Sequence, residues 1–200
     1  KFQLHDAAAE TTRDAPSPPY FRHESRWEYF TRTAFSDEQW ATLKRACDEL
    51  GIEFLCSAFS VEAIERLERL GVTRHKIPSG EVTNLEIVRR AASTGRPLLL
   101  SSGMSSWDEL DEAVRVAREH TDEITLLQCT SEYPCPPEHV GLNVLAEASA
   151  RYGLPVGLSD HSVGPYACYA AVALGAQVVE KHVTLSKESY GPDAALALEP

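Results

Sequence analysis

Long apolar runs are missing from this 200-residue chain, where none approaches the roughly 20 residues that a membrane-spanning helix requires. Nothing resembles a signal peptide either, so the expectation is a cytoplasmic protein with no membrane partner. Basic residues are scarce: 19 Lys and Arg stand against 30 Asp and Glu, for a net charge of −11. That balance argues against nucleic acid or an anionic membrane surface as a partner, since both require clustered cations. Cysteines are few and odd in number, five with no Cys-x-x-Cys, which favours reduced buried thiols over a disulfide framework or a zinc knuckle. No Gly-x-Gly-x-x-Gly and no Gly-x-x-x-x-Gly-Lys-Ser/Thr follows any strand-like run, which weakens a nucleotide-binding reading. The single methionine is Met104, and residue 1 is a lysine that opens directly into an alternating segment. The chain therefore reads as a piece of a longer protein.

What is present is a core and a repeat. An apolar content of 43% in 200 residues suits one domain or a large part of one. From about residue 50 a short β-rich run alternates with an amphipathic helical run, the pattern of parallel βαβ crossovers. The runs are 52–60, 74–79, 97–102, 124–129, 156–160 and 177–185, and the opening segment makes a seventh. Ser36 with Gln39 and Ser106 with Glu109 have the spacing of capping boxes; Ser60 and Asn84 are candidate N-caps, and Gly71 a helix stop. The stretch 6–35 shows no sustained period and reads as one long active-site connection, with Trp27, Tyr29 and Phe30 available to pack it as a lid. The fold class expected is α/β, a (β/α)8 TIM-type barrel lacking its first β/α unit and last helix, preferred to a doubly wound sheet. Such a fragment would carry two unpaired sheet edges.

Polar residues gather where each strand should end, which is where barrels of this kind place their chemistry. Two lysines, Lys1 and Lys76, with Ser57, Ser79, Ser101, Ser131 and Ser159, form a candidate cradle for a phosphate ester. Strand-end hydroxyls are also ordinary helix caps, so no one of them is diagnostic. Ser159 and His161 share one strand face and Asp160 takes the other; Glu180 and His182 likewise oppose Lys181. That alternation excludes a Ser-Asp-His hydrolytic triad in an undistorted strand. It leaves His161 and His182 able to hold a divalent ion between neighbouring strands, against the alternative of two structural histidines. Glu81, after Gly80, is either a sugar or proton ligand or an exposed loop acid.

Taken in order, these segments resemble the sialic acid synthase family. The matching motifs are Lys1-Phe2-Gln3, Lys76-Ile77-Pro78-Ser79-Gly80-Glu81 with Asn84, Leu100-Ser101-Ser102-Gly103-Met104, Gln128-Cys129-Thr130-Ser131-Glu132-Tyr133-Pro134, Gly157-Leu158-Ser159-Asp160-His161, Glu180-Lys181-His182 and Gly191-Pro192-Asp193. The resemblance implies a barrel followed by a small antifreeze-like domain lying outside these residues. It implies metal-assisted condensation of phosphoenolpyruvate with N-acetylmannosamine or a related N-acyl sugar, giving a nonulosonic acid and phosphate. Lys1, Ser57, Lys76, Ser79, Ser101, Ser131 and Ser159 then match positions holding phosphoenolpyruvate. Gln3, Glu81, Tyr133 and Asp193 match those around the sugar, and Lys1, Lys76 and Glu81 are the candidate catalytic groups. His161 and His182 match the metal ligands, for manganese or else magnesium or cobalt. The family's first barrel strand, with its glutamate, also falls outside this chain, and the full-length protein is expected to be a homodimer. Leu4 and Ala194 depart from the family's usual Thr and His. Legionaminic or pseudaminic acid synthesis, a non-catalytic carbohydrate-binding barrel, and a metal-dependent aldolase or hydrolase remain alternatives.

Overall fold

A computed structural model describes residues 1–16, 24–189 and 193–200. Gly191 and Pro192, which figure in the sequence motifs, lie outside the described residues. One sheet of seven parallel strands runs in simple chain order: β1 Phe2–Leu4, β2 Cys56–Ala58, β3 His75–Ile77, β4 Leu98–Ser101, β5 Ile124–Cys129, β6 Val156–Asp160 and β7 Val178–Lys181. All seven strand-like runs thus become strands, although 52–55 and 182–185 lie outside them. The sheet curls, because Lys1 at the start of β1 reaches Glu180 of β7 with Nζ 3.1 Å from Oε2. Strands six positions apart in a flat sheet could not make such a contact.

Helices cover the outer face, and their ends obey the local signals. In α3 (Asp37–Glu49) and α6 (Trp107–Arg118), Ser36 and Ser106 each accept from the third backbone N–H while Gln39 and Glu109 reach back. The Ser60 hydroxyl accepts from Ala63 N at the start of α4 (Val61–Leu70), and Gly71 ends that helix at φ 74°, where a side chain would strain the backbone. Asn84 behaves otherwise: it precedes α5 (Leu85–Ala92) without capping it, and its Nδ2 instead donates to Glu81 Oε2 at 3.2 Å. That bond engages the donor end of the amide, and the acceptor oxygen caps no helix N–H. Ala63, Ile64 and Leu67 of α4, with Ile87, Val88 and Ala91 of α5, seal against strands buried on both faces, such as Leu98–Ser101. Leu4 is fully buried in this core, so its departure from the Thr that the resemblance implies is a difference in packing.

Among its described residues the stretch 6–35 contains two helices, α1 (Ala7–Glu10) and α2 (Arg26–Thr33), at four and eight residues too short to show a sustained period. Asp6 caps the first, and Ser25 with Glu28 forms a capping box on the second. His5 joins them to the sheet, its ring lying 4.0 Å from both Phe30 and Phe59 and its Nδ1 2.6 Å from Glu10 Oε2. The last two helices are α7 (Asn143–Tyr152) and α8 (Tyr166–Ala173).

Candidate active site at the strand ends

The C-terminal ends of the strands open onto a cavity of about 570 Å³. Lys1, Gln3, Lys76, Ser79, Ser101 and Ser131 line it, as do Tyr133, Ser159, His161, His182 and Asp193. Of the residues singled out from the sequence, Ser57 and Glu81 stand apart from that lining. Ser57 is wholly buried beside the cavity, in register with Lys76 on β3, and its Oγ has no hydrogen-bond partner among the described residues. Glu81 is half-buried in a 3-10 turn (Ser79–Glu81), and burial raises its carboxyl pKa against the pull of Asn84.

Lys76 is almost wholly buried, 1% exposed, with Nζ donating to Ser101 Oγ at 2.6 Å and to the Ile77 carbonyl at 3.0 Å. Burial brings its ammonium down to about 8; Lys1 pushes the same way, and Glu180 opposes. Glu180 had no role assigned from the sequence, yet it is the counter-charge of the site. Its Oε1 accepts from Ser159 Oγ at 2.8 Å and its Oε2 faces Lys1. Burial works against its charge, but Lys76 and Lys1 overcome this and hold the carboxyl at about 2. The signal for Glu180 was available: strand alternation sets it on the His182 face, and two lysines without a carboxylate would repel each other.

A second concentration of polar atoms surrounds Gly103. A Cβ there would stand 2.5 Å from Ser131 Oγ, 2.6 Å from Ser79 Oγ and 3.0 Å from Cys129 Sγ. Two hydroxyls and a thiol, from the Ser79 turn, the end of β5 and the segment just after it, thus converge on a spot kept open by the absent side chain. Beside it Met104 holds φ 62°, an unusual conformation for a residue other than glycine, while 71% exposed on the rim. Sequence reasoning passed over Gly103, because a glycine shows its role only through what crowds it.

The imidazoles of His161 and His182 lie 5.6 Å apart between ring centroids, and Tyr133 sits 4.0 Å from the first. His161 Nδ1 donates to the Thr130 carbonyl at 2.8 Å, which leaves the Nε2 lone pair free in the neutral ring. His182 Nδ1 is 3.6 Å from Asp193 Oδ2, and the His182 carbonyl accepts from Leu198 N at 2.8 Å. Among the described residues no group of three or more His, Cys, Asp or Glu forms a ready metal cage. Two imidazoles with one fixed tautomer suit a divalent ion that completes its shell with substrate oxygens and water.

Curled parallel α/β sheets with their polar groups at one rim are the scaffold of many small-molecule enzymes, and this one pairs a buried cation cluster with two open imidazoles. The whole chain, residues 1–200, matches the NeuB family, and the chain belongs to it. It is 36% identical over its full length to human N-acetylneuraminate-9-phosphate synthase, covering 57% of that protein. Over 74% of its length it is 43% identical to N,N'-diacetyllegionaminic acid synthase of Campylobacter jejuni, covering 46% of that relative. The chain thus spans about half the length of the curated relatives it matches. Among solved structures, sialic acid synthetase from Leptospira borgpetersenii, in complex with citrate, superimposes with a TM-score of 0.88 at 28% identity, over all of this chain and 67% of that one. A 3-deoxy-D-arabino-heptulosonate 7-phosphate synthase from Thermotoga maritima shares the fold at TM-score 0.69 and 19% identity, over 82% of this chain and 66% of that one. No helix among the described residues is long and apolar enough to cross a membrane.

Proposed function

We propose that this chain carries the phosphoenolpyruvate and metal sites of a synthase that condenses phosphoenolpyruvate with N-acetylmannosamine or a related N-acyl sugar, releasing phosphate. The observation that carries the reading is the buried Lys76 joined to Lys1 through Glu180 and rimmed by serine hydroxyls, a site built for a multiply charged anion. Lys1 and Lys76, with Ser57, Ser79, Ser101, Ser131 and Ser159, hold the phosphate and carboxylate of phosphoenolpyruvate. Gln3, Glu81, Tyr133 and Asp193 serve the sugar. His161 and His182 hold a divalent ion, Mn2+ before Mg2+ or Co2+, which when bound polarises the aldehyde oxygen. A bond forms between the methylene carbon of phosphoenolpyruvate and the aldehyde carbon as the aldehyde C=O π bond breaks; water adds to the cationic enol carbon and its proton offsets the one taken up by the new alkoxide, and the tetrahedral adduct loses its hydroxyl proton as the C–O bond to phosphate breaks, leaving a keto group and free phosphate. Lys1 and Lys76 stabilise charge gathering on the departing phosphate, as preorganised cations in a water-poor pocket do well.

In the full-length protein we read the curled sheet as most of a (β/α)8 barrel, with an added β/α unit between β7 and β1; the Lys1–Glu180 contact across that interval supports the closure. The protein works as a homodimer in the cytoplasm, a compartment that suits five free cysteines. The 43% identity to a legionaminic acid synthase favours a second substrate, a diacetylated diamino sugar. Phosphate release by the intact protein, with phosphoenolpyruvate and each sugar in turn, separates the two. Release with the diamino sugar alone rejects N-acetylmannosamine, and release with neither rejects the synthase. His161→Ala with His182→Ala is expected to abolish Mn2+ binding in equilibrium dialysis; unchanged binding places the ion elsewhere.

A further inference from the structure

Behind the two histidines, on the opposite face of β6 and β7, lies a charged pair that the reaction above leaves unused. The strands are in register with Ser159 opposite Glu180 and Asp160 opposite Lys181. Odd-numbered Ser159 and His161 therefore face the cavity, while Asp160 and Lys181 face α8. Lys181 Nζ donates to Asp160 Oδ2 at 2.8 Å, with side chains 8% and 0% exposed. Two further bonds tie this pair to the residue after His161: Ser162 N donates to Asp160 Oδ1 at 2.8 Å, and Lys181 Nζ donates to the Ser162 carbonyl. The Cys168 thiol of α8 adds a bond to Asp160 Oδ2 at 3.5 Å. His161 is thereby gripped on both sides of its own peptide unit, and its carbonyl accepts from Cys135 N at 2.9 Å. His182 follows Lys181 directly. A buried ion pair contributes little net stability compared with apolar residues of the same size. A role in specifying geometry explains why this one joins the two strands at the very residues that precede the imidazoles.

We propose that the Asp160–Lys181 pair is a positioning clasp that sets the separation and ring orientation of His161 and His182, an inference that rests on the metal reading of those histidines. Neither residue touches a reactant; both act through the backbone they hold.

The test replaces the pair with apolar residues of similar volume, Asp160→Leu with Lys181→Met, in the intact protein. Three quantities are read: Tm, the imidazole 15N resonances of histidine-labelled protein without metal, and the Mn2+ dissociation constant. The proposal expects Tm near that of the parent, loss of the single His161 tautomer, and Mn2+ affinity weaker by about 10- to 100-fold, the range for outer-shell partners of metal ligands. Lys181→Arg, which retains the cation, is expected to restore most of the affinity. In a folded variant of a parent that binds Mn2+, either the rings or the affinity remaining unchanged overturns the proposal. If the parent binds no Mn2+, the metal reading fails by itself and the ring resonances alone decide the clasp: a disturbed tautomer upholds it and an unaltered one overturns it. Should the double variant not fold, Asp160→Asn keeps the volume and the oxygen for Ser162 N, and is judged on the same two readings.

Discussion

Lys76 shows how burial converts an ordinary side chain into a chemically poised one. With its ammonium at about 8, the group is charged below that pH and neutral above it. Affinity for phosphoenolpyruvate should therefore hold at neutral pH and fall as pH rises through 8, in a fluorescence or calorimetric titration. Because Glu180 raises the Lys76 pKa, Glu180→Gln should move the break to lower pH. Lys76→Met removes one charge-assisted contact of about 1.5 to 3 kcal/mol, so binding should weaken by roughly one to two decades. Gly103→Ala tests the second polar cluster: the new methyl would crowd Ser79 and Ser131, and we expect KM for phosphoenolpyruvate to rise about tenfold or more with little change in Tm. Which of these residues the sequence disclosed follows from chemistry. Lys1, Lys76 and the histidines announce themselves as polar residues at strand ends. Gly103 is silent alone, and Glu180 resembles any surface acid until its two ammonium neighbours are in place.

Among elements, helix ends were the most legible part. A hydroxyl three residues before Glu or Gln is a local device, and Ser36 and Ser106 work as their spacing says because no tertiary neighbour competes. Asn84 failed as a cap for a reason its own position does not display: the Glu81 carboxylate, three residues earlier, holds its Nδ2. The α1 and α2 helices were hidden by brevity, since four and eight residues give too few turns for periodicity to register. Capping should be separable from chemistry. Ser60→Ala deprives Ala63 N of its acceptor and is expected to lower stability by about 1 kcal/mol in urea denaturation, with phosphoenolpyruvate affinity unchanged.

At the scale of the whole molecule, the curl of the sheet brings its first and last strands to one ion pair, so the site and the curvature of the sheet share Lys1 and Glu180. The β/α order gave the expectation of a curved, barrel-like sheet, but not the ion pair that spans its two ends. The Glu180 carboxyl, at about 2 when folded against 4.5 for an ordinary glutamate, binds fewer protons folded than unfolded between those limits. It therefore contributes stability that is complete above about 4.5 and lost as pH falls towards 2. Acid unfolding followed by circular dichroism should be less steep in that window for Glu180→Gln than for the parent. The separation of faces along β6 and β7 carries a historical implication. Since neighbouring codons specify chemistry and scaffold in turn, mutation can explore new reactants at one set of positions while inheritance preserves the frame through the other. A lineage so built can diversify its products without refounding its architecture.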